Sequence, residues 1–142
     1  MAADFVLDTS VTMSWCFNDE ANSYADAVLE SLSNHDALVP GIWPLEVGNV
    51  LLVAEKNKRI SPPDSLQFLS LLSSLPIHVE NLSEQRMLDA VFLLAREQGL
   101  SSYDAAYLDL AMQNGLQIAT LDQSLQKAAT RKGVGVYMED SI

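Results

Sequence analysis

The chain has 142 residues, 49% of them hydrophobic, with 19 acidic against 8 basic side chains and a formal net charge of -11. That length suits one domain with a buried core spanning residues 1–142. The apolar runs fall far short of the ~20 residues of a membrane span, and no leader pattern is evident, so a cytoplasmic protein with no membrane association is expected. Cys16 is alone and His35 and His78 are isolated, which excludes an internal disulfide and leaves zinc chemistry without support, while the acidic balance disfavours passive nucleic-acid binding and suits hard cations or a basic partner.

In chain order, Phe5 to Asp8 reads as a short strand, followed by a helix from Ser10 to Phe17 capped by Thr9 or Ser10. Between Asn22 and Ser33, Ala25, Val28, Leu29 and Leu32 recur at helical spacing, which predicts an amphipathic helix. "ALVP", Ala37 to Pro40, is a second strand. Pro44 suits the first turn of a helix running to about Arg59, and "SPPD" at Ser61 to Asp64 opens another that ends near Leu75.

"PIHVEN" is a third strand candidate. Ser83 then caps a helix whose apolar residues Met87, Leu88, Val91, Leu94 and Ala95 lead to a stop at Gly99. Ser101 or Ser102 starts the helix Tyr103 to Gln113, closed by Gly115. "LQIAT" is a fourth strand, Gln123 to about Lys132 a last helix, and "VGVY" a fifth strand. Strands alternating with helices predict an α/β fold with a mostly parallel sheet of four to five strands flanked by helices.

That topology places the acids. Asp8 and Asp122 follow strands, so both lie at the carboxyl edge of a parallel sheet. Glu46 and Asp104 lie in first helical turns, and helices that connect parallel strands begin at that same edge. Singly, Glu46 or Asp104 is explained by the helix dipole, worth ~0.3–1 kcal/mol. Four carboxylates drawn together repel, and a divalent cation or raised pKa values must compensate. Oxygen-only ligands suit magnesium or manganese, whose chemistry commonly serves phosphate esters.

"FVLDTSVTMSWCFNDE", "LVPGIWPLEVGNVLL", "SSYDAAYLDLA" and "IATLDQSLQKAA" resemble the successive acidic motifs of the PIN-domain ribonucleases, most of all the VapC toxins of toxin–antitoxin pairs. The likeness covers nearly the whole chain and implies the three-layer α/β/α PIN fold. It also implies that Asp8, Glu46, Asp104 and Asp122 are the catalytic, metal-holding acids, and that Thr9 or Ser10 and Thr120 are supporting hydroxyls. Asn49, one turn beyond Glu46, matches a common polar position and is expected to bond the glutamate or a water, or to be a plain exposed residue. Trp43 is expected to serve packing. Other acids, among them Asp19, Glu20, Asp26, Asp89, Asp109, Glu139 and Asp140, are expected to be solvated.

The resemblance implies an endoribonuclease that cleaves single-stranded or loop RNA by metal-activated water, using Mg2+ or Mn2+. It also implies a homodimer, inhibited by a cognate VapB-like antitoxin whose arm supplies Arg or Lys. Lys56, Lys58 and Arg59 in "EKNKR" are candidates for RNA contact, although a solvated helix terminus explains them as well. The apolar surplus of the helices Asn22 to Ser33 and Ser61 to Leu75 is a candidate antitoxin groove or dimer surface, beside internal packing. The alternatives are an acidic α/β binding module and a housekeeping PIN nuclease without a toxin role. A haloacid-dehalogenase-like phosphatase would need an Asp where Ser10 stands, and a phospho-receiver domain would need an acidic pair and a Lys that are not evident.

Overall fold

The computed structural model describes residues 2–142. Four strands, β1 (Phe5–Leu7), β2 (Ala37–Pro40), β3 (Ile77–Glu80) and β4 (Gln117–Ala119), form an all-parallel sheet in the order β3-β2-β1-β4. Phe5, Val6 and Leu7 are all fully buried. Both faces at the centre of the sheet are therefore covered, which explains why β1 is a continuous apolar run rather than an alternating one. The chain steps outward from β1 through β2 to β3 and then returns to pair β4 on the other side of β1, so the strand order reverses between β1 and β4.

Among the described residues eight α-helices connect and flank the strands: α1 (Thr9–Ser14), α2 (Ser23–Ser31), α3 (Trp43–Lys56), α4 (Pro62–Ser74), α5 (Glu84–Arg86), α6 (Phe92–Gln98), α7 (Ser102–Asn114) and α8 (Gln123–Arg131). The caps follow the sequence closely. Asn22, Ser61, Ser83 and Ser101 each accept a backbone N–H of their own first turn, as residues with a short polar side chain do at this position. Gly99 and Gly115 close α6 and α7 in the left-handed region, with φ of 65° and 64°, where a Cβ would be strained. In α7 every residue from Ala105 to Ala111 is buried, and the helix packs against β1, β2 and β4.

Four expectations are corrected. The residue at the N-cap position of α1 is Asp8, not Thr9 or Ser10, and its carboxylate makes no cap hydrogen bond because other partners occupy it. "VGVY" forms no fifth strand: only Val136 bridges to Ile118, since the chain turns through left-handed conformations at Gly133 (φ 74°) and Met138 (φ 53°) on either side. The helix after Ser83 is interrupted by a π-helical turn at Met87–Val91, between α5 and α6. Its wider turn changes the phase of the helix, so Met87 and Leu88 are exposed while Val91, Leu94 and Ala95 remain buried.

Asp109, expected in solvent, is 2% exposed and receives a two-pronged bond from Arg86, with Nε to Oδ2 at 2.8 Å and Nη2 to Oδ1 at 2.7 Å. The apolar surplus also divides unevenly: α2 spends Tyr24, Ala25 and Val28 on the core, whereas α4 leaves Leu66, Leu69 and Leu71 exposed. Among the described residues no helix is long and apolar enough to cross a membrane.

Candidate functional site

The carboxyl ends of β1 and β4 flank the point where strand order reverses, the place where open α/β sheets open a crevice for ligands. Asp8 follows β1 directly, and its backbone N–H donates to Ala119 O at 3.0 Å, continuing the ladder to β4. Thr120 and Asp122 follow β4. Glu46 projects from the first turns of α3, and Asp104 from the first turn of α7.

Asp8 is 5% exposed. Its Oδ2 accepts from Ser10 Oγ and from Thr120 Oγ1, both at 2.7 Å. Burial raises its pKa, the two hydroxyls act against that rise, and the charge of Glu46 adds to it. Glu46 Oε1 likewise takes two hydroxyls, Thr9 Oγ1 at 2.9 Å and Tyr107 OH at 2.6 Å. The adjacent residues of "DTS" thus serve different acids: Ser10 turns back to Asp8, and Thr9 reaches across to Glu46. Asp122 caps α8, where Oδ1 accepts from the N–H groups of Ser124 at 2.8 Å and Leu125 at 3.3 Å.

Asp104 is coupled by charge to the other three acids. Its pKa is raised to about 6, first by burial and then by the charges of Asp8, Asp122 and Glu46. Opposite charge is what relieves such a site. Among the described residues no three His, Cys, Asp or Glu side chains close into a ready-made metal cage. The donor set nonetheless fits a hard divalent ion, because it is oxygen-only and both Asp8 and Asp104 have raised pKa values to which neighbouring carboxylate charge contributes.

The supporting residues divide. Thr9, Ser10 and Thr120 hydrogen-bond the acids. Asn49 is exposed and makes no hydrogen bond to Glu46 among the described residues. Trp43 is buried, and its indole N–H donates to Thr12 Oγ1 at 3.0 Å, a packing role. Lys56, Lys58 and Arg59 are exposed. Arg59, however, is held: its guanidinium lies 3.9 Å over the Phe17 ring and pairs with Asp19 at 2.8 Å and with Glu20. Tyr107 was absent from the residues expected at the site. Its place three residues after Asp104 on one helix is the signal that puts it at the same edge.

Of two open clefts, only the smaller is lined by one of the four acids. One of about 480 Å³ is lined by Thr9, Ser10, Phe17, Glu20, Leu121 and Asp122 among others. The other, of about 750 Å³, lies between the segment after α1 and helix α4, and Trp15, Phe17, Arg59, Asp64 and Phe68 line part of it.

Residues 5–131 match the family described as the PIN domain. No curated protein matches the sequence. Among solved structures, PAE2754 from Pyrobaculum aerophilum superposes with a TM-score of 0.71 at 22% identity, covering 90% of this chain and 81% of that one. A toxin–antitoxin complex from Klebsiella pneumoniae gives a TM-score of 0.61 at 20% identity over 89% of this chain and 90% of that one. The sarcin-ricin-loop-cleaving toxin VapC20 from Mycobacterium tuberculosis gives 0.62 at 15% identity, over 88% and 95%. At such identities the likeness is one of fold.

Proposed function

This chain belongs to the PIN-domain family, whose members are generally nucleases that use divalent metals, and from that premise we propose that it is a metal-dependent endoribonuclease of the VapC toxin type. The observation that carries the reading is the convergence of Asp8, Glu46, Asp104 and Asp122 at the strand-order reversal, registered in the raised pKa of Asp104. Mg2+ or Mn2+, when bound, would supply Lewis acidity to a phosphate oxygen and a more acidic water. Asp8, Asp104 and Asp122 would hold it, with Glu46 completing the site or orienting the water. The hydroxyls of Ser10 and Thr120 fix Asp8, and the cap bonds of α8 fix Asp122, so neither carboxylate has to be ordered at the moment of reaction.

The partner in this reading is a VapB-like antitoxin, and the domain acts in the cytoplasm. The large cleft offers aromatic walls, Asp64 and the ion-paired Asp19 to a basic arm, which a net charge of -11 would attract. A second copy of the chain is the proposed occupant of the apolar face at the π-turn and α6, where Leu88 and Leu93 are 75% and 53% exposed. Lys56 and Lys58 remain candidates for RNA contact; Arg59 would have to leave its acidic partners first.

The test is cleavage of end-labelled single-stranded RNA by protein freed of any antitoxin. Asp8→Asn preserves shape while removing a charge, and is expected to cleave at least ~100-fold more slowly at saturating Mg2+, equivalent to roughly 2.7 kcal/mol of lost transition-state stabilisation. Wild-type cleavage that survives EDTA, or an Asp8→Asn variant as fast as wild type, refutes the reading in favour of an acidic binding module.

A further inference from the structure

Resting on the metal reading above, we propose that Tyr107 is a positioning residue which, with Thr9, restricts Glu46 to a single free oxygen and thereby biases the site toward Mg2+ and against Ca2+. Three oxygens lie in mutual contact: Tyr107 OH to Glu46 Oε1 at 2.6 Å, Thr9 Oγ1 to Glu46 Oε1 at 2.9 Å, and Thr9 Oγ1 to Tyr107 OH at 2.7 Å. Two hydroxyl protons serve those three contacts, so with Tyr107 donating to the carboxylate the proton of Thr9 is shared between both neighbours. The Tyr107 side chain is fully buried, and its hydroxyl donates to Glu46 Oε1.

The consequence for Glu46 is geometric. With Oε1 committed to two donors, Oε2 is the oxygen left to offer, and among the described residues no hydrogen bond reaches it. The same restriction recurs at two other acids, for Asp8 commits Oδ2 to two hydroxyls and Asp122 commits Oδ1 to the start of α8. Carboxylates that give one oxygen each suit a small ion that demands near-octahedral single contacts. A larger ion that takes six to eight oxygens gains from two-oxygen carboxylates, and this arrangement withholds them.

Tyr107 is the informative member because it is fully buried and its hydroxyl ties α7 to α3. Tyr107→Phe removes that one hydroxyl and leaves the ring. Thr9→Val removes the other, and Thr9→Ser keeps it. None of these changes removes a carboxylate.

Calorimetric titration of the metal-free protein with Mg2+, Mn2+ and Ca2+ tests the proposal, with circular dichroism to establish that each variant is folded. Tyr107→Phe is expected to bind Mg2+ about 10-fold more weakly while Ca2+ binding holds or improves, within the range observed when partners of metal ligands are removed. Thr9→Val should move the ratio the same way, and Thr9→Ser should keep the wild-type ratio. Unchanged ratios in both Tyr107→Phe and Thr9→Val, or equal weakening toward all three ions, overturn the positioning role. A wild type that binds neither Mg2+ nor Mn2+ overturns the metal reading itself, a different failure, visible before any variant is made. Asp104→Asn, which should weaken all three ions together, distinguishes loss of a ligand from loss of selectivity.

Discussion

Thr120 has no exposed surface, and its hydroxyl works in two directions, donating to Asp8 Oδ2 at 2.7 Å and accepting the N–H of Asp122 at 3.0 Å. It therefore holds two acids in register with one oxygen. Thr120→Val keeps the shape but strips one hydroxyl from a buried carboxylate and leaves a backbone N–H without its partner. The expected loss is ~1–3 kcal/mol in urea unfolding, and Thr120→Ser should recover most of it. Equal stability of the valine and wild-type proteins would mean that the hydroxyl carries no weight. Residues of this kind were legible in part. Acids and short hydroxyls beside strand ends stand out against an apolar chain, so Asp8, Ser10 and Thr120 were readable, whereas the phenol of Tyr107 among Ala105, Ala106 and Leu108 reads as core until its partner is seen.

Alternating strands and helices made the parallel sheet readable, because the caps at Asn22, Ser61, Ser83 and Ser101 and the stops at Gly99 and Gly115 are local signals. The π-turn at Met87–Val91 is not local in that sense. Arg86 reaches Asp109 on α7 just before the turn, a contact 23 residues distant that no periodicity encodes. The pair is lopsided: Asp109 is 3% exposed at its side chain and Arg86 33%. Losing the arginine strands a buried carboxylate, while losing the carboxylate leaves an arginine that can turn to water. Arg86→Met is accordingly expected to cost ~3 kcal/mol and Asp109→Asn clearly less, measured by urea unfolding. Equal costs, or a reversed order, would show that the π-turn and not the buried charge sets the sensitivity.

Across the whole molecule, a net charge of -11 is tolerable where acids are solvated and costly where four of them meet. Asp104 makes this measurable through linkage. Its folded-state pKa is about 6 against an ordinary value of 3.8, so between those values this group binds more protons in the folded chain than in the unfolded one, and stability from it falls as pH rises. The penalty is complete above pH 6 and vanishes toward pH 4. Without metal, Asp104→Asn should therefore melt higher than wild type at pH 7.5, by ~2–4 °C if the relief is near 1 kcal/mol, with the gap closing as pH is lowered to 4. Magnesium should reverse the order. A cation that binds only the folded state raises the melting temperature by mass action, and the wild type, with all four acids, should gain more than the variant. Titrating groups remote from the site cancel in the difference between two proteins that differ at one side chain, whereas the acids coupled to Asp104 respond to its neutralisation and belong to the difference. Scanning calorimetry at pH 4, 5, 6 and 7.5, with and without Mg2+, gives that difference directly. A wild type that melts above Asp104→Asn at pH 7.5 in the absence of metal would show that Asp104 is stabilised where it stands, and equal Mg2+ shifts in both proteins would show that it holds no ion.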